Sequence, residues 1–151
     1  MTAYADIFLE KARNYCAYQE RCIDDVKKKL ESWKLNEEAV LEIIKKLKKE
    51  GYIDEERFAR AYAVGKFRNN KWGRNKIFYG LSRKNIPELY IQIGLAAIDE
   101  EEYINTLKGL LSSKTVKAET DFERKIKLVR YAVQKGYQQE LVWRVLEENE
   151  V

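Results

Sequence analysis

The sequence predicts an all-α fold of three tandem three-helix repeats, helix-turn-helix-like units set in an elongated, curved array. Three observations predict it. Apolar residues recur at helical spacing almost throughout, without the period-two alternation of a half-buried strand. One pattern of apolar positions then repeats at intervals of 51 residues. Finally, the turns inside the three copies share one chemistry: "WKLN" at 33–36, "KNIP" at 84–87 and "KGYQ" at 135–138 occupy the same place.

In the first copy Val26, Leu30, Leu35, Val40, Ile44 and Leu47 mark two amphipathic helices joined by a tight turn. The second copy carries Ile77, Leu81, Ile86, Ile91, Leu95 and Ile98. The third carries Leu128, Ala132, Tyr137, Val142 and Leu146, and the pattern runs out at Asn149. Each pair is preceded by another helix, over residues 7–18, 54–69 and 99–114, with stripes Phe8/Ala12/Tyr15, Phe58/Tyr62/Gly65 and Tyr103/Leu107/Leu110 expected to face inward. Nine helices follow, in units 1–52, 53–98 and 99–151. Units of this size bury modest cores and are expected to lean on one another.

The ends of the helices agree. Asn85 and Gly136 suit the left-handed residue that closes a helix, and Lys34 suits it less well. Asn36 is placed to cap the helix that follows, and Pro87 is expected at the first helical position of its counterpart. The acidic runs Asp24–Asp25, 54–56 and 99–102 fall where helices start, and carboxylates there meet the positive end of the helix dipole. The longest connection, "TVKAETD" at 115–121, is the expected mobile loop.

Composition narrows the chemistry. The chain has no histidine, which excludes imidazole bases, Ser–His triads and the usual zinc patterns. No Gly-rich phosphate loop is present. Cys16 and Cys22 are expected to be small buried side chains rather than a disulfide. No apolar run is long enough to cross a bilayer, and the first residues lack the features of a signal peptide, so a soluble cytoplasmic protein is expected. Neither catalysis nor a cofactor is expected, although magnesium held by the acidic runs is the enzyme reading to be weighed.

The charge is segregated. Between Glu56 and Glu88 there is no acidic residue, yet Arg57, Arg60, Lys66, Arg68, Lys71, Arg74, Lys76, Arg83 and Lys84 lie inside, giving that stretch +9 in a chain whose net charge is +4. Trp72 and Tyr79 sit among them. Lys76, Tyr79 and Arg83 share one helix face, and Arg57, Arg60, Val64, Phe67 and Arg68 are expected opposite the inward stripe of the preceding helix. Basic groups interleaved with rings suit single-stranded nucleic acid: the cations bind phosphate and the rings stack on unpaired bases. Sequence-specific reading of duplex DNA is not expected, because "PELYIQIGLAAIDE" offers no Arg, Lys, Asn or Ser to base edges.

One stretch carries a family resemblance. "GYIDEERFARAYAVGKFRNNKWGRNKIFYGLSRKNI", residues 51–86, resembles the signature of the bacterial RecX regulatory proteins: Gly51-Tyr52-Ile53-Asp54, then Arg57-Phe58-Ala59, Gly73 ahead of Lys76-Ile77, and Leu81 closing on Lys84-Asn85-Ile86. Asn85 replaces the usual glycine, and Trp72 stands where smaller residues are common. The resemblance implies a non-catalytic modulator that binds the filament of RecA on single-stranded DNA, suppresses strand exchange, ATP hydrolysis and co-protease activity, and binds DNA on its own. A monomer is expected, with single-stranded DNA as the ligand and duplex DNA as a further, non-specific one. The alternative is a helical nucleic-acid-binding module without a recombinase partner.

Overall fold

The computed structural model describes residues 3–148. Among them it contains nine helices and no strand: α1 (Ala3–Tyr18), α2 (Ile23–Ser32), α3 (Glu37–Lys49), α4 (Glu55–Asn70), α5 (Arg74–Arg83), α6 (Glu88–Ala96), α7 (Glu100–Ser113), α8 (Asp121–Gln134) and α9 (Gln139–Glu148). The fold is all-α and repeated, as the 51-residue period predicts.

The repeat is clearest at the turns. Lys34, Asn85 and Gly136 all have positive φ, at 63°, 60° and 104°. In each turn the next backbone N–H reaches back to close the same ring: Leu35 donates to Leu30, Ile86 to Leu81 and Tyr137 to Ala132. The left-handed residue itself donates to Glu31, Ser82 and Val133. This two-bond closure satisfies the orphan carbonyls of a helix end and seats the following apolar residue against the last turn. Lys34 adopts the strained conformation despite its Cβ, because both bonds and the half-burial of Leu35 depend on it. Side-chain caps start the helices: Asn36, Asp54, Asp99 and Thr120 accept from backbone N–H groups three residues on. Cys22 caps α2 through its Sγ while the Asp25 carboxylate answers the Cys22 N–H. Pro87 stands one residue earlier than expected. It is the N-cap of α6, since its ψ of 140° is extended rather than helical.

Of the repeated apolar positions, Leu35 is half-buried, the rest through Leu146 are buried, and Asn149 lies outside the described residues. Two inward stripes differ from expectation. On α1 the buried residues are Leu9, Ala12 and Cys16, and Phe8 and Tyr15 flank them. On α4 they are Phe58, Ala59, Ala63 and Phe67, with Tyr62 and Gly65 at the rim. Phe67, expected on the outer face, is 2% exposed and stacks 5.7 Å from Tyr103. The cause is that α4 is covered from two sides. Ala59 meets α6 where Gly94 leaves no room for a Cβ, while Phe67 meets α7.

The apolar interior therefore divides in two, not three. One cluster, from Leu9 to Ile53, belongs to the first three helices. The other runs without a break through α4 to α9 and also takes in Cys22. Where α4–α6 meet α7–α9, two glycine turns touch. The Gly73 N–H donates to Lys135 O at 2.7 Å, and the Asn75 N–H donates to Gly136 O at 2.9 Å. Beneath them Tyr103 and Tyr137, both fully buried, lie 5.0 Å apart. The Tyr103 hydroxyl accepts from the Arg74 N–H and donates to Gln138, and that of Tyr137 donates to Lys71 O. Burial pushes Tyr103 up to about 12.

A Cβ on Gly73 would fall 2.2 Å from the carbonyl carbon of Gly136. Gly73→Ala is expected to cost about 1–3 kcal/mol or more, read as a lowered melting temperature, whereas Gly109→Ala, where a Cβ meets nothing, should not destabilise. Burial also pushes the Cys22 thiol up to about 12. Native protein treated with iodoacetamide at mildly alkaline pH should keep Cys22 unmodified, and in denatured protein that thiol should be alkylated.

Candidate nucleic-acid interface

The basic stretch begins at α4, runs through the turn at Lys71–Gly73 and ends where α5 stops at Arg83. Folding returns to it the acidic partners that its own sequence lacks. Arg57 Nε donates to Glu20 at 2.6 Å, and its Nη2 to Gly51 O at 3.0 Å. Arg60 pairs with Glu56 at 3.5 Å and Arg68 with Glu102 at 3.2 Å. Lys84 donates to Asp25 at 2.7 Å, and hydrogen bonding to Lys84 and to Cys22 holds that half-buried carboxylate below its ordinary range against the opposing effect of burial.

Arg74 is the most heavily engaged. It pairs with Glu100 at 2.9 Å, donates to the carbonyls of Leu95 and Ile98, and lies 4.2 Å from the centre of the Tyr103 ring. Its side chain is 18% exposed. A guanidinium tied to a helix end, a carboxylate and a ring secures the joint between α5, α6 and α7. These contacts draw the Arg74 side chain into the joint, which its place in a charge run does not reveal.

Lys66, Lys71, Lys76 and Arg83 have no acidic partner among the described residues. Two of them lie against a ring. The Lys66 and Lys76 ammoniums lie 5.0 and 4.7 Å from the Trp72 ring centre. Trp72 is half-buried, packed edge-on to Tyr62 at 6.4 Å. Tyr79 is 66% exposed. Lys76, Tyr79 and Arg83 line one groove with Trp72, Asn75 and Gly80, and its other wall is Val133, Gln134 and Gly136 from the third set of helices. The groove measures roughly 350 Å³, and Gly80 makes room for the Tyr62 hydroxyl, which would lie 2.2 Å from a Cβ.

The eleven predicted site residues thus sort into two groups. Trp72, Lys76, Tyr79 and Arg83 line one groove, Lys66 reaches the Trp72 ring from its side, and Lys71 stands next to Trp72 in the chain; the four cations have no acidic partner among the described residues. Arg57, Arg60, Arg68, Arg74 and Lys84 are held by carboxylates. Sequence reasoning missed Asn75, Val133 and Gln134. No signal in the sequence would have joined residues 133–134 to residue 79, because the glycine contact between turns brings them together. Among the described residues no three His, Cys, Asp or Glu side chains are grouped to hold a metal ion, and no helix is long and apolar enough to cross a membrane.

Residues 54–95 match the model of the second three-helix domain of RecX, and residues 100–146 match that of the third. The chain belongs to the RecX family. The regulatory protein RecX of Clostridium acetobutylicum is 32% identical over 130 residues, covering 82% of this chain and 60% of the relative. That of Bacillus mycoides is 25% identical over 140 residues, covering 91% and 52%. That of Lactobacillus delbrueckii is 27% identical over 126 residues, covering 80% and 46%. The chain therefore spans about half the length of the curated relatives it matches. The crystal structure of RecX from Lactobacillus salivarius shares the fold at a TM-score of 0.82 and 21% identity, over 95% of both chains. A second crystal structure of regulatory protein RecX aligns at 0.81 and 25% identity, covering 92% of this chain and 73% of the other. RecX relatives are named as regulatory proteins, and that is the coarse role the family carries.

The two groups of cations should respond differently to mutation. Lys76→Glu with Arg83→Glu is expected to weaken binding to a single-stranded oligonucleotide. It should also make the salt dependence shallower by about 1.4 log units per log unit of salt, since each cation that no longer neutralises a phosphate removes ~0.7. Its melting temperature should hold. Arg74→Gln is expected to cost about 1–3 kcal/mol of stability, read by thermal or urea melts.

Proposed function

We propose that the chain is a non-catalytic regulator that binds the RecA–single-stranded-DNA filament and suppresses its recombinase, ATPase and co-protease activities. One observation carries the reading: Lys76 and Arg83, without acidic partners among the described residues, line a groove with Trp72 and the exposed Tyr79 that the second and third sets of helices build jointly, and Lys66 lies beside the Trp72 ring. Cations give affinity for phosphate without sequence preference, and an exposed ring gives a stacking surface for an unpaired base. Membership of the RecX family supports the regulatory role. In this reading the protein works as a cytoplasmic monomer, duplex DNA is a weaker and non-specific ligand, and Lys66, Lys71, Trp72, Lys76, Tyr79 and Arg83 form the nucleic-acid contact. Arg57, Arg60, Arg68 and Lys84 flank it. Arg74 is withdrawn to a supporting position. The limits 1–52, 53–98 and 99–151 are proposed for the three units, with Asp54 and Asp99 as the caps that open the second and third.

The test is a titration of RecA ATPase on single-stranded DNA, with a gel shift on naked DNA beside it. Inhibition at amounts well below one chain per RecA is expected, and the Lys76→Glu/Arg83→Glu variant should fail to inhibit. DNA binding that leaves RecA turnover untouched would instead favour a stand-alone nucleic-acid module.

A further inference from the structure

The two seams of the array are built from different interactions. Between the second and third units the seam is backbone against backbone, with two buried tyrosines under it and a continuous apolar interior. Between the first and second it is electrostatic. Glu20 holds Arg57, Asp25 holds Lys84, the Asp24 carboxylate accepts from the Asn85 amide at 3.4 Å, and Glu55 accepts from the Ile23 N–H. Cys22 is the first-unit side chain that enters the larger core. Along this seam lies a groove of roughly 600 Å³, with Glu20 and Asp25 on one wall and Tyr62, Lys66 and Lys84 on the other. The second carboxylate oxygen of Glu20 is buried with no hydrogen-bond partner, so the closed arrangement leaves an acceptor unsatisfied.

We propose that the first unit is an electrostatic latch, in which Glu20, Asp24 and Asp25 occupy the place of phosphates on Arg57, Lys84 and Asn85, and a bound strand displaces them and frees the seam. This rests on the reading of the basic face as a polyanion site and adds its regulation. The Arg57–Glu20 and Lys84–Asp25 pairs are only partly buried and open onto the groove, and ion pairs in contact with solvent are weak and salt-sensitive, so a polyanion is a competent competitor. Linkage then requires the converse: loosening the latch must tighten strand binding. The second seam also carries the ion pairs Arg68–Glu102 and Arg74–Glu100, but its backbone bonds between glycine turns and its buried tyrosines do not depend on them, so the second and third units should move as one body.

The test places dyes on exposed positions, leaving the buried Cys16 and Cys22 unlabelled. Leu41→Cys with Leu89→Cys spans the first seam, and Leu89→Cys with Phe122→Cys spans the second; all three residues are more than half exposed. Saturation with an oligothymidylate is expected to change energy transfer across the first seam and leave the second unchanged. E20Q/D25N should show the changed signal before any strand is added and bind about tenfold tighter, the combined strength of two partly exposed pairs. The control, E31Q/E38Q, removes the same charge from exposed first-unit carboxylates away from the seam and should tighten binding much less. Equal tightening in the two variants, or an unchanged first-seam signal at saturation, overturns the latch. Absence of strand binding would sink the underlying reading instead. Titration with inorganic polyphosphate then decides the latch, and a flat first-seam signal refutes it. If E20Q/D25N fails to melt cooperatively, the titration of the otherwise unaltered chain decides.

Discussion

The close approach of two glycine turns governs the larger part of this molecule. Gly73 and Gly136 bring the start of α5 against the end of α8, and neither tolerates a Cβ there. Every other contact of that seam follows from the approach. Tyr137 reaches the carbonyl of Lys71, Tyr103 reaches the Arg74 N–H, and Phe67 is drawn into an interior shared by six helices. The groove beside Tyr79 is also a product of it, since one wall belongs to each unit. A pair of absent methyl groups thus fixes both a core and the groove beside it.

Charge is distributed by the same logic of packing between units. The acidic residues missing from 57–87 are supplied across space, by Glu20 and Asp25 from one side and by Glu100 and Glu102 from the other. With Glu56 holding Arg60 from within α4, five cations are neutralised or committed to structure. What remains positive is a smaller surface than the sequence implies, but a sharper one, with Lys66 and Lys76 beside the Trp72 ring and Arg83 in the groove with Tyr79.

The legible part of the fold is the part each unit specifies for itself. Helical spacing, the caps at Asn36, Asp54 and Asp99, and the turns 51 residues apart are local properties, and each appears in the structure. The burial of Phe67 is illegible, because a period count on α4 sees one buried face and not the second neighbour that covers another. Lys34 is by residue type a poor fit to its turn, yet two hydrogen bonds and the half-burial of Leu35 hold it there. For the site, spacing alone puts Lys76, Tyr79 and Arg83 on one helix face. That Arg74 serves the joint, and that Val133 and Gln134 complete the groove, depends on packing between units, which spacing within one unit cannot encode.

The two-part interior bears on cooperativity. A core that runs unbroken through α4 to α9 must melt as a whole, since Phe67, Tyr103 and Tyr137 come from different elements and support one another. The first three helices have their own core from Leu9 to Ile53 and meet the rest mainly through charge. Three units in sequence are therefore two units in thermodynamics: one foldon of three helices and one of six. An opening that starts in the first need not spread, so one end of the array can come apart while the remainder keeps its native order.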